Sequence, residues 1–342
     1  MRTITSSIAL LALLALLSAG AIAGERELST RIFERDGWVA YNVAMTADAG
    51  APCCFADLHD HAQHVVSCEL ESRSWSMSRS DDDRRVSAAS KLTVYLRVHQ
   101  GKIDKVRAFA ADCPIKDGDR ATRIDPVDAT DSVALLARDA ASTTGRDVAE
   151  AEIAALAMHA DASATTALTQ MAEASHPRKL REQALFWLGQ MRGAEGARIV
   201  ERAATSDGDA ELRANAVFDL SQAHGIDAYA SIHRIARNDA SEHVREQAMF
   251  WMAQMGDARA KADITAAIGS DASDKVREQG VFALSQLKQG EGDSALIALV
   301  RGDYPRRVKE QALFWLGQSG SDAAMKFLDE VLTRTERSAG KG

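Results

Sequence analysis

The hydrophobic pattern of the chain has two periods, and each dominates one part of it. Between residues 31 and 115 apolar side chains recur at every second position, as at Val39 and Tyr41, and this spacing predicts β-strands. Over residues 148–335 the spacing becomes i, i+3, i+4, which is one buried face of an α-helix. The polar segment 116–147 predicts a linker with a short helix. The expected fold class is α+β, a small β-rich N-terminal module followed by an all-α region.

One hairpin can be recognised within the β-rich module. Two runs with period two, residues 92–98 and 103–110, flank the tetrapeptide HQGK. Glycine adopts a positive φ without steric cost, so Gly101 suits a tight turn between antiparallel strands. We therefore expect these two strands to pair directly.

The helical region repeats itself with a constant step of 32 residues. Each copy carries two apolar helical faces, such as the face formed by Val200, Ala203 and Ala204 in the first copy, so each copy predicts a pair of helices. Residues 148–174 keep this register weakly and predict a degenerate first repeat that caps the array. The first helices of the five copies contain octapeptides related to REQALFWL, which begin at Arg181, Arg213, Arg245, Arg277 and Lys309.

These repeated residues resemble bacterial HEAT-like repeats, the short α-solenoid units related to armadillo proteins. The resemblance implies a solenoid of about five 32-residue repeats plus the degenerate cap. In that family an aspartate in the turn between repeats and an arginine at the start of the first helix form a buried ladder. An aspartate just before a helix can accept from free N–H groups, and a cation one turn later can pair with it. The matching pairs are Asp207 with Arg213, Asp239 with Arg245, Asp271 with Arg277, and Asp303 with Lys309.

Every first helix carries a phenylalanine, and alternate copies add a tryptophan next to it. With about 100° per residue, the phenylalanine lies nearly opposite the apolar stripe, and the tryptophan faces the neighbouring repeat. Two interpretations are open: the rings fill gaps between neighbouring first helices, or they form a partly exposed ridge that binds another protein. The residues are Phe186, Phe218, Phe250, Phe282 and Phe314, with Trp187, Trp251 and Trp315.

Cysteines occur only in the first third of the chain. Their even number in a chain with an export signal favours two disulfides. Because neighbouring cysteines can hardly bond to each other, Cys53 and Cys54 each pair with one of the other two, which leaves two connectivities open. The alternative is a metal site, since three histidines lie in the same stretch. The cysteines are Cys53, Cys54, Cys68 and Cys113, and the histidines are His59, His61 and His64.

The first 23 residues have the features of a signal peptide. Arg2 precedes an apolar run over residues 8–17, and the segment ends in the small-x-small sequence of residues 21–23. No later segment is long and apolar enough to predict a membrane span. We expect a periplasmic protein, with secretion into the medium as the alternative. Residues 336–342 predict a disordered tail.

Charge and motifs narrow the function. A formal net charge of −8 lacks the cationic surface that nucleic-acid binding requires. None of the nine histidines is followed by glutamate, so the His-Glu iron ligands of HEAT-like hydroxylases are missing, and the histidines are expected on the surface. Nucleotide loops and nucleophile elbows are also missing, and no cofactor is expected. The sequence predicts a non-enzymatic, exported scaffold that binds another protein; the alternative is a metal or small-ligand receptor using the Cys/His segment.

Overall fold

The computed structural model describes residues 24–50, 52–57, 63–72 and 90–339. The predicted signal peptide, His59 and His61 lie outside these residues. The chain divides into two compact units, the first ending at Arg192 and the second beginning at Gly193.

The first unit is built on a small β-sheet. Its strand order is β5-β4-β1-β6, in which β1 pairs antiparallel with β4 and parallel with β6, while β2 and β3 form a separate antiparallel pair. The predicted hairpin is confirmed: β4 and β5 pair directly, and Gln100 and Gly101 both have positive φ between them. The strands are β1 (Gly37–Ala44), β2 (Cys54–Asp57), β3 (Gln63–Val66), β4 (Lys91–His99), β5 (Lys102–Ala110) and β6 (Thr122–Arg123).

Two disulfides hold the segments that cover one face of this sheet. Cys53 is bonded to Cys113 and Cys54 to Cys68, with Cα atoms 5.6 and 5.3 Å apart. The structure thus selects one of the two connectivities that the sequence left open. Around the sulfur atoms lies an apolar cluster that includes Trp38, which reaches it from β1. The cross-links therefore belong to the core of the module.

Helices accompany the sheet in the first unit. Residues 24–33 form a helix, α1, which the period-two interpretation did not predict; Leu28 and Ile32, spaced i and i+4, are its buried face. The segment assigned to a linker contains both β6 and α2, and the degenerate repeat is the helix pair α3 and α4. The helices after α1 are α2 (Ala129–Ser142), α3 (Arg146–Ala157), α4 (Ala162–Met171) and α5 (Arg178–Met191).

The second unit is entirely helical and has two layers. First helices α7, α9, α11 and α13 contact one another in sequence, and the second helices lie beside them, which confirms the repeat architecture. The last helix continues to Ala339, past residue 335, where the helical region was predicted to end. Its helices are α6 (Gly193–Ser206), α7 (Ala210–Ser221), α8 (Ala228–Asn238), α9 (Glu242–Gln254), α10 (Ala260–Ser270), α11 (Asp274–Ser285), α12 (Asp293–Arg301), α13 (Arg306–Ser319) and α14 (Asp322–Ala339).

None of the helices in the described residues combines the length and apolar composition needed to cross a bilayer.

Candidate functional site

A ladder of charged side chains runs along the turns of the second unit, but its pairing differs from the prediction. The Arg213 guanidinium binds both carboxylate oxygens of Asp239, in the next repeat, with Nε and Nη2 each 2.8 Å from an oxygen. Its remaining nitrogen donates to the main-chain carbonyl of Asp207, in its own repeat. Arg245 repeats the arrangement with the Asp271 carboxylate and the Asp239 carbonyl. The predicted pairing within a repeat is therefore wrong.

The aspartates explain this shift by one repeat. Oδ1 of Asp239 accepts the N–H of Ser241 at 2.8 Å and so fixes the turn that leads into α9. The main-chain carbonyl of Asp239 accepts from Arg245, the arginine of its own repeat. The Asp239 carboxylate binds the planar guanidinium of Arg213, the arginine of the preceding repeat. The arrangement ends at Arg277, which donates to the Asp271 carbonyl and to the carboxylate of Asp274.

The last predicted pair of the ladder does not form. The side chains of Asp303 and Lys309 make no ion pair with each other in the part of the chain that the structure describes. A lysine ammonium lacks the planar fork of arginine, so it cannot make the paired contacts seen at Arg213 and Arg245.

Charge and burial oppose each other in these pairs. Burial would raise the pKa of Asp239, but hydrogen bonds from Arg213 and Ser241 outweigh it and hold that pKa below its ordinary value. Asp271 is held low in the same way by Arg245 and Ser273. Both carboxylates are therefore ionised at neutral pH, and the ladder joins consecutive repeats.

The predicted aromatic residues of the second unit come together in one row. Trp251 contacts Phe218 of the preceding repeat at 4.7 Å and Phe250 of its own at 5.0 Å between ring centroids. Phe250 stacks on Phe282 at 6.1 Å with nearly parallel planes. We call the whole row the aromatic strip. Trp315 completes it, 5.1 Å from Phe282 and 5.0 Å from Phe314, so the strip consists of Phe218, Trp251, Phe250, Phe282, Trp315 and Phe314.

Exposure along the strip combines features of both sequence interpretations. Trp251 and Trp315 bridge neighbouring first helices, at the position where the helical angle placed them. Most of the rings are half-buried, and Phe314 at the end is 55% exposed. The rings thus pack between repeats with one edge and face solvent with the other. In the first unit, Phe186 and Trp187 make the same edge-to-face contact at 5.0 Å.

Polar groups flank the strip. An exposed glutamine follows each phenylalanine by four residues, at Gln222, Gln254, Gln286 and Gln318. The Nε2 amide of Gln222 donates to the hydroxyl of Ser221, the last residue of α7.

At one end the strip borders a cleft. Trp315, Gln286 and Gln318 line this space of about 430 Å³ together with serines and glycines. In its wall the buried Asp293 carboxylate accepts from the hydroxyl groups of Ser319 and Ser321. The candidate surface thus offers aromatic rings and neutral hydrogen-bonding groups side by side.

The first unit contains a buried polar chain that the sequence did not predict. The Oγ of Ser132 lies 2.8 Å from the Tyr41 hydroxyl and 2.9 Å from Nε2 of His159, whose Nδ1 lies 2.8 Å from the Ala155 carbonyl. His159 was expected on the surface but is fully buried, and it lies after α3 in an isolated antiparallel β-bridge with Met45, the residue that follows β1. Burial lowers the pKa of His159 to about 4, so the ring is neutral.

Glu152 of α3 is a second buried group. Both of its carboxylate oxygens lack a donor among the described residues. Burial, together with the neighbouring Asp139, raises the pKa of Glu152 to about 10, so the group is protonated at neutral pH. No residue pattern in the sequence distinguishes this glutamate from the exposed ones.

The alternative function, a metal receptor at the Cys/His segment, has no free sulfur ligands among the residues that the structure describes. Sulfur atoms of Cys53, Cys68 and Cys113 lie within 4.8 Å of one another, but they belong to disulfides. A disulfide sulfur is not the thiolate that binds zinc. This geometry does not favour the metal receptor.

Comparison with known proteins identifies the repeats. A family model of HEAT repeats matches residues 197–285 and 229–317. No curated protein matches the sequence. Three solved structures match the chain at low similarity. Human deoxyhypusine hydroxylase in complex with glycerol is 15% identical, with 58% of this chain and 77% of that one covered and a TM-score of 0.26. The values are 17%, 59%, 76% and 0.36 for Escherichia coli YibA, and 16%, 60%, 81% and 0.31 for the CpcE–CpcF complex of phycocyanin lyase from Nostoc.

Proposed function

We propose that the HEAT repeats of this chain form a non-enzymatic scaffold that binds another protein through the aromatic strip. The observation that carries the proposal is the unbroken contact of six large aromatic rings, most of them half-buried and one mainly exposed. Exposed apolar surface of this kind is rare on a monomer unless a partner covers it, and Phe and Trp are enriched where proteins bind one another.

The arrangement of the second unit supports this role. Repeats that contact their neighbours in sequence present an extended surface and little enclosed volume, which suits protein binding better than catalysis. The exposed glutamines beside the rings supply neutral donors and acceptors for the rim of such an interface. The ladder from Arg213 to Asp271 keeps successive repeats, and therefore the rings, in register.

The described residues include a geometric candidate for a catalytic role, but its burial argues against that role. Ser132 and His159 lie at the distance of a nucleophile and its base. Both are fully buried, and the serine is enclosed between Tyr41 and the histidine. No substrate can reach the hydroxyl, so we assign this pair to the structure of the first unit.

We further propose that the protein works outside the cytoplasm, in the periplasm or beyond it. The two disulfides indicate an oxidising compartment, where such bonds persist. The signal-peptide pattern of the first 23 residues agrees with that location.

Site-specific photocrosslinking in the cells that produce the protein tests the binding surface. A benzophenone side chain at Gln286, beside the strip, should give one discrete adduct with another protein, whereas the same group at the exposed Lys261 on α10 should not. The partner is then identified by mass spectrometry of the adduct. Equal adducts from both positions, or none from Gln286, would contradict the proposal.

A pair of matched variants strengthens the test. Phe314→Ser removes the exposed end of the strip, and Leu332→Ser removes a comparably exposed apolar side chain from α14. We expect the Gln286 adduct to disappear with the first variant and to persist with the second.

A further inference from the structure

The start of the described chain lies against a carboxylate. A Cβ atom at Gly24 would lie 2.5 and 2.6 Å from the two side-chain oxygens of Asp131, at the beginning of α2. The Gly24 nitrogen is two bonds from that position and therefore lies within about 5 Å of the carboxylate. Only glycine leaves room for so close an approach.

The surroundings of Asp131 carry an excess of negative charge. Burial and the charges of Asp128 and Glu27 raise the pKa of Asp131. The nearby cation Arg138 is paired with Glu25. Asp128 is occupied in capping α2, where it accepts from Thr130. A positive charge beside Gly24 would relieve this repulsion.

We propose that the Ala23–Gly24 peptide bond is hydrolysed during export and that the new α-ammonium group of Gly24 forms an ion pair with Asp131. The sequence Ala-Ile-Ala directly precedes Gly24, as a signal peptidase requires. Water adds its hydroxyl to the Ala23 carbonyl carbon and a proton to the glycine nitrogen, which takes a second proton from solvent. The proposal rests on the export proposed above but not on the binding surface.

An ion pair between Gly24 and Asp131 would stabilise the start of α1. An ammonium at the N-terminus of a helix opposes the helix dipole, so a free amine at the first residue of α1 needs nearby carboxylates. Asp131 supplies one from α2, and Glu27 supplies one from the first turn of α1 itself. Gly24 and Asp131 also line one groove of about 980 Å³ beside α2 and α4, which leaves space for the added proton and its hydration.

The first experiment determines the mature N-terminus. Intact-mass measurement and N-terminal sequencing of the full-length gene product, isolated after export from a bacterial host, should give a chain that begins at Gly24. A chain that begins at any other residue would overturn the proposal. Because no partner is involved, this result is independent of whether the aromatic strip binds a protein.

A second experiment tests the ion pair in the exported protein. The pKa of the Gly24 amine, followed by NMR after ¹³C reductive methylation, should lie about one unit above the ordinary 7.7–8.0 of an α-amino group. Asp131→Asn should return it to that range. Asp147→Asn, which removes an exposed acid from the first turn of α3, should leave it raised. An ordinary pKa, or one that Asp131→Asn does not lower, would overturn the pairing.

Discussion

Single side chains decide how each unit responds to pH. In the first unit, the neutral His159 and the protonated Glu152 have pKa values shifted in opposite directions by the same cause, removal from water. The ladder carboxylates of the second unit are shifted downward by their arginines. The two units should therefore lose stability in different pH ranges.

His159 makes the first unit sensitive to mild acid. Its folded pKa of about 4 lies below the ordinary 6.5, so the unfolded chain takes up the proton first as the pH falls. The stabilising contribution is complete above pH 6.5 and is lost progressively toward pH 4, by about 3 kcal/mol. The free energy of unfolding, measured by urea denaturation at several pH values, should show this loss. His159→Gln should flatten the pH dependence in this window, and an unchanged profile would contradict the assignment.

Glu152 predicts the opposite dependence. Its folded pKa of about 10 lies above the ordinary value, so its contribution is complete below about pH 4.5 and is lost as the pH rises. At pH 7 this titration lowers the free energy of unfolding by about 3 kcal/mol, compared with a side chain at the same position that does not titrate. Glu152→Gln should therefore raise the free energy of unfolding more at pH 8 than at pH 5. A larger gain at pH 5 would show that the carboxyl is ionised in the folded protein.

The ladder makes a prediction about which arginine Asp239 couples to. In double-mutant cycles, Asp239→Asn combined with Arg213→Lys should show a coupling of about 2 kcal/mol, because the two side chains are mostly buried and doubly hydrogen-bonded. With Arg245→Lys the coupling should be near zero, since Arg245 binds the Asp239 carbonyl, which the substitution keeps. Comparable coupling energies for the two arginines would support the pairing of Asp239 with Arg245 within one repeat, as the sequence predicted.

At the scale of elements, one face of the first helices has two tasks. Trp251 and Trp315 join neighbouring first helices, and the phenylalanines beside them fill part of the same seam while showing an edge to solvent. The cost of removing a ring should therefore follow its burial along the strip.

Two serine substitutions compare the centre of the strip with its end. Phe250→Ser removes a half-buried ring that contacts Trp251 and Phe282, and it should lower the free energy of unfolding by about 2–3 kcal/mol. Phe314→Ser removes a mainly exposed ring and should cost about 1 kcal/mol or less. Chemical denaturation of the two variants measures the difference. Equal losses would mean that Phe314 is covered in solution.

The two units of the molecule are stabilised by different means. The first holds both disulfides within a small β-module, and the second depends on contacts between successive helices. The described residues of the second unit include no cysteine, so reduction leaves its interactions untouched.

Calorimetry with and without a reductant tests this division. Each disulfide should contribute roughly 2–4 kcal/mol to the first unit. Reduction should lower the midpoint temperature of the first unit's melting transition or abolish that transition. The midpoint temperature of the second unit should stay the same. Equal shifts of both transitions would show that the units unfold as one.

The sequence by itself determined the features that depend on neighbours along the chain. The helical period, the 32-residue step and the turn at Gly101 are consequences of backbone hydrogen bonding and local sterics, and all are present in the structure. The even cysteine count and the strain between Cys53 and Cys54 likewise limited the disulfides to two connectivities.

Only the tertiary structure decided what depends on distance in space. It joined Cys53 to Cys113, gave Asp239 to the arginine of the preceding repeat, and buried His159 and Glu152. The same packing left most of the aromatic rings half-buried and Phe314 mainly exposed, so the strip shares features of both interpretations that the helical angle allowed. A residue pattern shows which side of a helix or strand is apolar. The solvent exposure of a side chain and its bonding partner depend on the elements that pack beside it, and these come from distant parts of the chain.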